Sequence, residues 1–218
     1  RESERVARIL SEETGKTPLE SLSQEIIPVL DTLRFLEKNA ARILRPRKIR
    51  LRTGQFYFRG KRNAVRFEPY GVIGILGTWN YPLFISASQI LFALAAGNGV
   101  VFKGAPESPR VTEMIRELLA SSGFPPGLYF CFSAGADGGR ALCRSDCDKF
   151  VLTGSRRTGT EVLKALAENL KPAVTELSGG DACAVLSDAD FGAAARTLVW
   201  AAFQHSGQTC VAPRRLMI

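Results

Sequence analysis

Short apolar strands alternate with amphipathic helices over most of the chain, and this alternation constrains the fold more than any other feature. After Pro69 the pattern predicts strands at 71–76, 100–103, 128–132, 150–153, 173–176 and 182–186, separated by helices at 82–96, 109–121, 138–143, 157–169 and 191–204. Strands that alternate with helices form parallel sheets whose two faces are covered by those helices. The sequence therefore predicts an α/β fold with a Rossmann-like parallel sheet.

The segments that follow the predicted strands are rich in glycine and small polar residues. Because open parallel sheets bind ligands outside the carboxyl ends of their strands, these segments form the expected binding site. A GxGxxG fingerprint does not follow the first strand, and the glycines of 133–139 indicate a phosphate site only weakly. The composition of five segments at the ends of predicted strands still suits a dinucleotide site. These segments are Gly77-Thr78-Trp79-Asn80, Lys103-Gly104-Ala105, Ser133-Ala134-Gly135, Gly154-Ser155 and Glu176-Leu177-Ser178-Gly179-Gly180.

The positive charge of the chain is concentrated in one segment near the N-terminus. The formal net charge is +8, and nine lysines and arginines without an acid lie between Arg45 and Arg66. Such a run is also typical of a nucleic-acid or membrane surface. Charged and apolar residues alternate in 48–52, however, which favours a half-buried β-hairpin over 46–68. We therefore expect helices over residues 1–44, then this hairpin, and no nucleic-acid partner.

An uncharged stretch runs from Gly71 to Phe102 and raises the alternative of a membrane-spanning helix. Glycines 71, 74 and 77 and the Asn80-Tyr81-Pro82 break divide the stretch, and the remaining helix is too short to span a bilayer. A buried strand, a turn and a core helix explain it better. We expect no transmembrane segment.

Five cysteines are scattered over the 218 residues without CxxC pairs. An odd number at these spacings fits neither a disulfide framework nor a zinc site. We therefore expect no bound metal and a reducing compartment, the cytoplasm.

Five segments, read together, resemble the aldehyde dehydrogenase superfamily in their order and in their spacing. The resemblance runs from about residue 6 to the last residue, and the first and last motifs are most similar to the class 3 branch, which acts on fatty and aromatic aldehydes. The motifs are Gly77-Thr78-Trp79-Asn80-Tyr81-Pro82, 95–103 (AAGNGVVFK), Thr153-Gly154-Ser155, Glu176-Leu177-Ser178-Gly179-Gly180 and Gly207-Gln208-Thr209-Cys210.

The resemblance implies that the chain divides into four parts with different roles. Residues 1–45 would be the helical beginning of the cofactor domain, and 46–68 a hairpin of the arm through which subunits associate. Residues 69–176 would form the dinucleotide-binding domain, and 177–218 the beginning of a catalytic domain. A homodimer or a homotetramer is then expected.

The resemblance also implies the catalytic residues. Cys210 would be the nucleophile that attacks an aldehyde, and the Asn80 amide together with the Cys210 N–H would hold the oxyanion. Glu176 would be the general base. His205, the single histidine, leaves a Cys–His hydrolase as an alternative, but it has no obvious orienting acid and is interpreted as helix-end structure.

The cofactor residues follow from the same resemblance, which implies NAD or NADP. Lys103 would meet the adenine ribose or a phosphate on it, Ser155 the pyrophosphate, Gly154 the nicotinamide half, and Trp79 would pack near the diphosphate. Pro106 stands where the family usually has a ribose-binding glutamate, and Glu107 follows one residue late. We therefore expect NADP to be tolerated.

Three alternatives remain open at this point. They are a CoA-acylating aldehyde dehydrogenase, against which Glu176 argues, a non-catalytic cofactor-binding fragment, and a nucleic-acid binder that acts through residues 45–66. The chain begins at Arg1 and ends in an apolar run, so it is interpreted as truncated at both ends. We expect the 218 residues alone to be inactive, with 215–218 a strand that lacks its sheet partners.

Overall fold

The computed structural model describes residues 2–49, 60–125 and 127–218. The helices are Glu2–Thr14 (α1), Pro18–Ser21 (α2), Ile27–Leu44 (α3), Phe84–Ala95 (α4), Pro109–Ser121 (α5), Ala136–Arg144 (α6), Arg156–Ala167 (α7) and Phe191–Phe203 (α8). The strands are Arg47–Ile49 (β1), Asn63–Val65 (β2), Val72–Leu76 (β3), Gly99–Gly104 (β4), Tyr129–Ser133 (β5), Lys149–Gly154 (β6), Ala173–Leu177 (β7), Asp181–Ala184 (β8) and Pro213–Met217 (β9). The α/β alternation predicted from the sequence is confirmed.

Five strands form a parallel sheet in the order β5-β4-β3-β6-β7. The chain builds β3, β4 and β5 outward in one direction and then returns to place β6 on the other side of β3. The strand order therefore reverses between β3 and β6, which is the position where open α/β sheets bind their ligands.

Apolar clusters cover both faces of this sheet. On one face Leu10, Ile90 and Val111, from α1, α4 and α5, have no exposed surface. On the other face Phe150 of β6 and Leu166 of α7 are equally buried. Each side chain of this size contributes about 1.5–3 kcal/mol when fully buried, so the two clusters hold the helices on the sheet.

A bent helical segment precedes the sheet and lies under its carboxyl edge. Thr17 and Glu20 form a reciprocal capping box that starts α2, with Pro18 in its first turn. A π-helical turn, Leu22–Ile26, then joins α2 to α3. Pro28 follows this turn and has no N–H to donate to the carbonyl four residues earlier, which accounts for the break in regular α-helical bonding.

The basic segment does form an antiparallel β-hairpin at its two ends, with Lys48 opposite Ala64. Strand β1 is exposed along its whole length, so the prediction of a half-buried hairpin is wrong for this strand. The physical reason is that none of the residues Arg47–Ile49 packs against the two core clusters. The predicted hairpin residues 50–59 lie outside the described part of the chain.

The last strand also differs from the expectation. Strand β9 pairs in parallel with β8, with Cys183 opposite Leu216. The prediction that 215–218 lacks sheet partners is therefore wrong, because α8 returns the chain alongside β8 as the crossover of a βαβ unit. No helix within the described ranges is long and apolar enough to cross a membrane.

Candidate active site

A cavity of about 570 Å³ lies at the point where the strand order of the sheet reverses. Its walls come from the loop after β3, the ends of β6 and β7, and the segment after α8. Six of the residues predicted from the sequence line it together: Trp79, Asn80, Gly154, Ser155, Glu176 and Cys210. Lys103 and Glu107, also predicted, do not line this cavity.

The side chain of Asn80 is held in one orientation by two hydrogen bonds. The Thr78 hydroxyl donates to Asn80 Oδ1 at 2.7 Å, and Asn80 Nδ2 donates to the carbonyl of Gln208 at 2.8 Å. Because a donor meets the oxygen and an acceptor meets the nitrogen, the amide cannot be reversed without losing both bonds. The second Nδ2 proton remains available to a ligand in the cavity.

Cys210 lies just beyond the 3₁₀ turn Gln204–Gly207 and is exposed. Its neighbour Thr209 is buried, and the Thr209 hydroxyl lies 2.7 Å from the hydroxyl of Tyr81. The loop that carries the thiol is thus anchored to the loop that carries Asn80. Cys131, Cys143 and Cys147 are buried and Cys183 is partly buried, so Cys210 is the accessible thiol among the five.

Glu176 lies near the carboxyl end of β7, opposite Thr153 of β6. The side chain is exposed and contributes to the cavity wall. Beyond it, the Ser178 N–H donates to the Gly154 carbonyl at 3.1 Å, which extends the pairing of the two strands past their ends. The carboxylate therefore meets the cavity from a fixed backbone while remaining open to water.

The N-terminus of α7 meets the cavity at Ser155, whose hydroxyl caps the helix by accepting from the Thr158 N–H at 3.1 Å. The backbone N–H groups of the first turn form a site that favours an anion. A Cβ at Gly154 would make only ordinary contacts, the nearest being 3.7 Å from Leu152 Cδ1. Packing within the chain therefore does not require glycine at 154, whereas a ligand against the backbone would. The N-terminus of α7 at Ser155 and the open space at Gly154 therefore fit a bound dinucleotide.

Lys103 lies one residue before the end of β4 and is only 8% exposed. Burial lowers the pKa of its ammonium group, and the charge of Glu107 partly offsets this effect. Glu107 itself is exposed in the loop that follows. The two residues lie on the β4 side of the sheet, where the adenosine half of an extended dinucleotide would end.

A model of the aldehyde dehydrogenase family matches residues 1–218. The chain belongs to this family. It is 35% identical over 215 residues to 4,4'-diapolycopene aldehyde oxidase of Methylomonas sp, covering 99% of this chain and 40% of that protein. It is 31% identical to aldehyde dehydrogenase family 3 member A2 of Rattus norvegicus, covering 98% of this chain and 43% of the relative. The relatives therefore include a member of the class 3 branch, which the motifs of the chain resemble.

Solved aldehyde dehydrogenase structures share the fold. PnpE from Pseudomonas sp. WBC-3, in complex with nicotinamide adenine dinucleotide, superposes with a TM-score of 0.89 at 32% identity over 98% of this chain and 43% of that one. The chain thus spans less than half the length of these relatives.

Sequence reasoning missed a group of residues below the cavity that hold the two site loops. Glu20 accepts from the His205 N–H at 2.8 Å, and Gln24 accepts from the Tyr81 hydroxyl at 3.1 Å. Lys16 donates to the Asn80 carbonyl at 2.6 Å. The capping-box pattern Thr17-Pro18-Leu19-Glu20 was the available signal that α2 begins there. No local pattern indicates which loop the helix touches.

His205 is buried in this aldehyde dehydrogenase fold and adopts a φ of 48°, in the left-handed region. Neither ring nitrogen has a hydrogen-bond partner among the described atoms, and the ring packs edge-on against Tyr81. Burial, followed by the charge of Lys16, lowers the pKa of His205 to about 4. The ring is therefore neutral near pH 7, and it packs beneath the turn without lining the cavity.

We expect the stability of the chain to fall as the pH is lowered from about 6.5 to about 4. In this window the unfolded chain binds a proton at His205 that the folded chain does not bind. The free energy of unfolding should therefore decrease by roughly 3 kcal/mol from this residue alone. Urea unfolding at several pH values measures the effect. His205→Asn removes the titrating ring and tolerates the left-handed backbone, so it should flatten the decline; an unchanged pH dependence in this variant would contradict the assignment.

Proposed function

We propose that the whole protein carrying this chain oxidises an aldehyde to a carboxylic acid, with NAD or NADP as the hydride acceptor. The observation that supports this most is that Cys210, Asn80 and Glu176 line one cavity together with the N-terminus of α7. A nucleophile, an amide donor, a carboxylate and an anion site are the groups that this reaction requires.

The first half of the reaction is assigned to Cys210 and Asn80. The Cys210 thiolate attacks the aldehyde carbon, a C–S bond forms, and the carbonyl electron pair moves onto oxygen. The free proton of Asn80 Nδ2 and the Cys210 N–H hold the oxyanion of this thiohemiacetal. Loss of one such donor typically costs ~10² to 10³ in rate, so the fixed orientation of Asn80 matters.

The second half is assigned to Glu176. Once hydride has left the carbon, Cys210 carries a thioester. Glu176 takes a proton from water, the oxygen attacks the carbonyl carbon, and the C–S bond breaks to release the acid and regenerate the thiolate. The exposure of the carboxylate to the cavity supports its access to water.

The dinucleotide would lie along the carboxyl edge of the sheet, where its nicotinamide ring supplies the hydride acceptor. Ser155 and the first turn of α7 would hold the pyrophosphate, with Trp79 packed beside it. Gly154 would allow the close approach of the nicotinamide half, and Lys103 would meet the adenine ribose. Lys103 lies outside the central cavity, as expected for a residue that meets the far end of an extended ligand.

We propose a fatty or an aromatic aldehyde as substrate. The relatives include a probable coniferyl aldehyde dehydrogenase of Pseudomonas aeruginosa, 33% identical over 200 residues. Ile85 and Trp79 give the cavity wall an apolar part. The exposed hairpin strand β1 would serve the association of subunits into a homodimer or a homotetramer. The five free cysteines fit a location in the cytoplasm.

The test combines turnover with thiol labelling. The whole protein is assayed with NAD and NADP against aliphatic and aromatic aldehydes by NAD(P)H absorbance, with the carboxylic acid identified as product. Iodoacetamide alkylation followed by peptide mapping should modify Cys210 first, because it is the exposed thiol. Absence of turnover, or CoA-dependent release of a thioester in place of the acid, would overturn the proposal.

We expect NADP to be used with a kcat/KM within about tenfold of that for NAD, because Lys103 can pair with a 2'-phosphate as a point charge. Pro106 removes the acid that would repel this phosphate. The residual repulsion comes from Glu107, so Glu107→Gln should raise the kcat/KM for NADP and leave that for NAD nearly unchanged. A hundredfold preference for NAD would mean that Glu107 binds the ribose itself.

A further inference from the structure

A buried ion pair lies directly beneath the loop that carries Asn80. Lys16 and Glu25 form a salt bridge, and both side chains are 0% exposed. The Lys16 ammonium also donates to the Asn80 carbonyl at 2.6 Å, and Glu25 accepts from the Phe84 N–H at 2.7 Å. The pair thus holds the loop at its middle, through Asn80, and at the start of α4, through Phe84.

A buried ion pair is by itself weak evidence that the pair stabilises the fold. Burial lowers the pKa of Lys16 and raises that of Glu25, because burial disfavours the charged form of each group. Apolar residues of similar volume are often as good or better for stability at such a site. Glu25 lies in the π-helical turn before Pro28, and its carboxylate faces the start of α4 at Phe84.

The same helical segment also reaches the loop of Cys210 through Tyr81. The Lys16 ammonium lies 3.9 Å from the centroid of the Tyr81 ring. The Tyr81 hydroxyl contacts Thr209, and Asn80 Nδ2 donates to Gln208. A displacement of the Asn80 loop would therefore be transmitted to the residues that precede Cys210.

We propose that Lys16 and Glu25 are positioning residues that hold the Asn80 amide, and through it the Cys210 loop, in the geometry needed for oxyanion binding. The link of this pair to oxyanion binding rests on the proposed function. The coupling of Lys16 and Glu25 to Asn80 and Cys210 does not depend on that function, and it is measurable without turnover.

The experiment is a double-mutant cycle read first by the rate of Cys210 alkylation in the chain. Lys16→Met with Glu25→Gln removes both charges and keeps side-chain volume and the acceptor for Phe84. This double variant should change the alkylation rate by about threefold or more, in the same direction as Asn80→Ala, because positioning errors of a fraction of an ångström matter at such sites. The triple variant, which carries both substitutions together with Asn80→Ala, should have the same alkylation rate as Asn80→Ala alone. The reason is that the effects of groups that act as a unit do not add.

Controls separate this coupling from loss of fold. Arg110→Met with Glu12→Gln removes an exposed ion pair between α1 and α5 and should leave Cys210 labelling unchanged. Thermal unfolding verifies that each variant is folded, and Lys16→Arg, which keeps both charges but moves the donor relative to the Asn80 carbonyl, replaces the double variant if the latter is not. Independent, multiplicative effects of the pair and of Asn80 on labelling would overturn the proposal.

A second arm uses turnover by the whole protein. The double variant should lower kcat by about tenfold and change KM for the dinucleotide less than about twofold, since only oxyanion binding is disturbed. Absence of turnover in the parent would reject the proposed function, whereas a parent with full activity and an unchanged kcat in the double variant would reject the positioning role.

Discussion

Replacement of Cys210 by alanine is expected to lower aldehyde oxidation by the whole protein about 10⁴-fold or more, because the covalent path is lost with the nucleophile. The dinucleotide should still bind, since Cys210 is not part of the proposed anion site at the N-terminus of α7. Steady-state NAD(P)H formation and a fluorescence titration with NADPH measure the two properties separately.

The matched control is Cys183→Ala, which removes a partly buried thiol from β8 outside the cavity. It should retain nearly full activity and show the same alkylation of Cys210 as the parent. If Cys183→Ala loses as much activity as Cys210→Ala, or if the Cys210 variant retains turnover, the nucleophile assignment is wrong.

Glu176→Gln is expected to slow thioester hydrolysis by about 10² to 10⁴ while leaving the first hydride transfer much less affected. Glutamine keeps the shape of the side chain but cannot accept a proton from water. The acyl-enzyme on Cys210 should therefore accumulate. Stopped-flow recording of NAD(P)H should show a rapid burst followed by slow turnover.

The acyl-enzyme offers a direct check on this prediction. Mass spectrometry of the Glu176→Gln protein after mixing with aldehyde and cofactor should find the acyl group on Cys210. Glu168→Gln, an exposed substitution beyond the end of α7, serves as the control and should show no burst. An equal loss in the burst and in the steady phase would count against Glu176 as the base for hydrolysis.

Much of the fold was readable in the sequence because burial imposes local patterns. The predicted helix 109–121 coincides with α5, and the predicted strand 173–176 falls within β7. The exposure of β1 and the partner of the last strand were the exceptions. Local alternation predicted a half-buried hairpin, but exposure depends on what the rest of the chain places beside it. The partner of β9 is β8, about thirty residues earlier, and no local pattern encodes such a pairing.

The site shows the same division. Motif resemblance alone singled out Cys210, Glu176, Asn80, Trp79, Gly154 and Ser155, because residue types that perform chemistry recur in recognisable order. The structure brings these six to one cavity and places Lys103 and Glu107 outside it. That separation follows from the strand order, since β4 lies one strand away from the reversal between β3 and β6.

The sequence by itself determined the alternation of elements, the family and the residues that could react. Only the tertiary structure showed that Lys16, Glu20 and Glu25 contact the loop of Asn80, the 3₁₀ turn before Cys210 and the start of α4. The physical reason is that hydrophobic periodicity and capping act over a few residues along the chain. The contact of Lys16 with Asn80, by contrast, joins positions 64 apart and exists only once the sheet and its helices have packed.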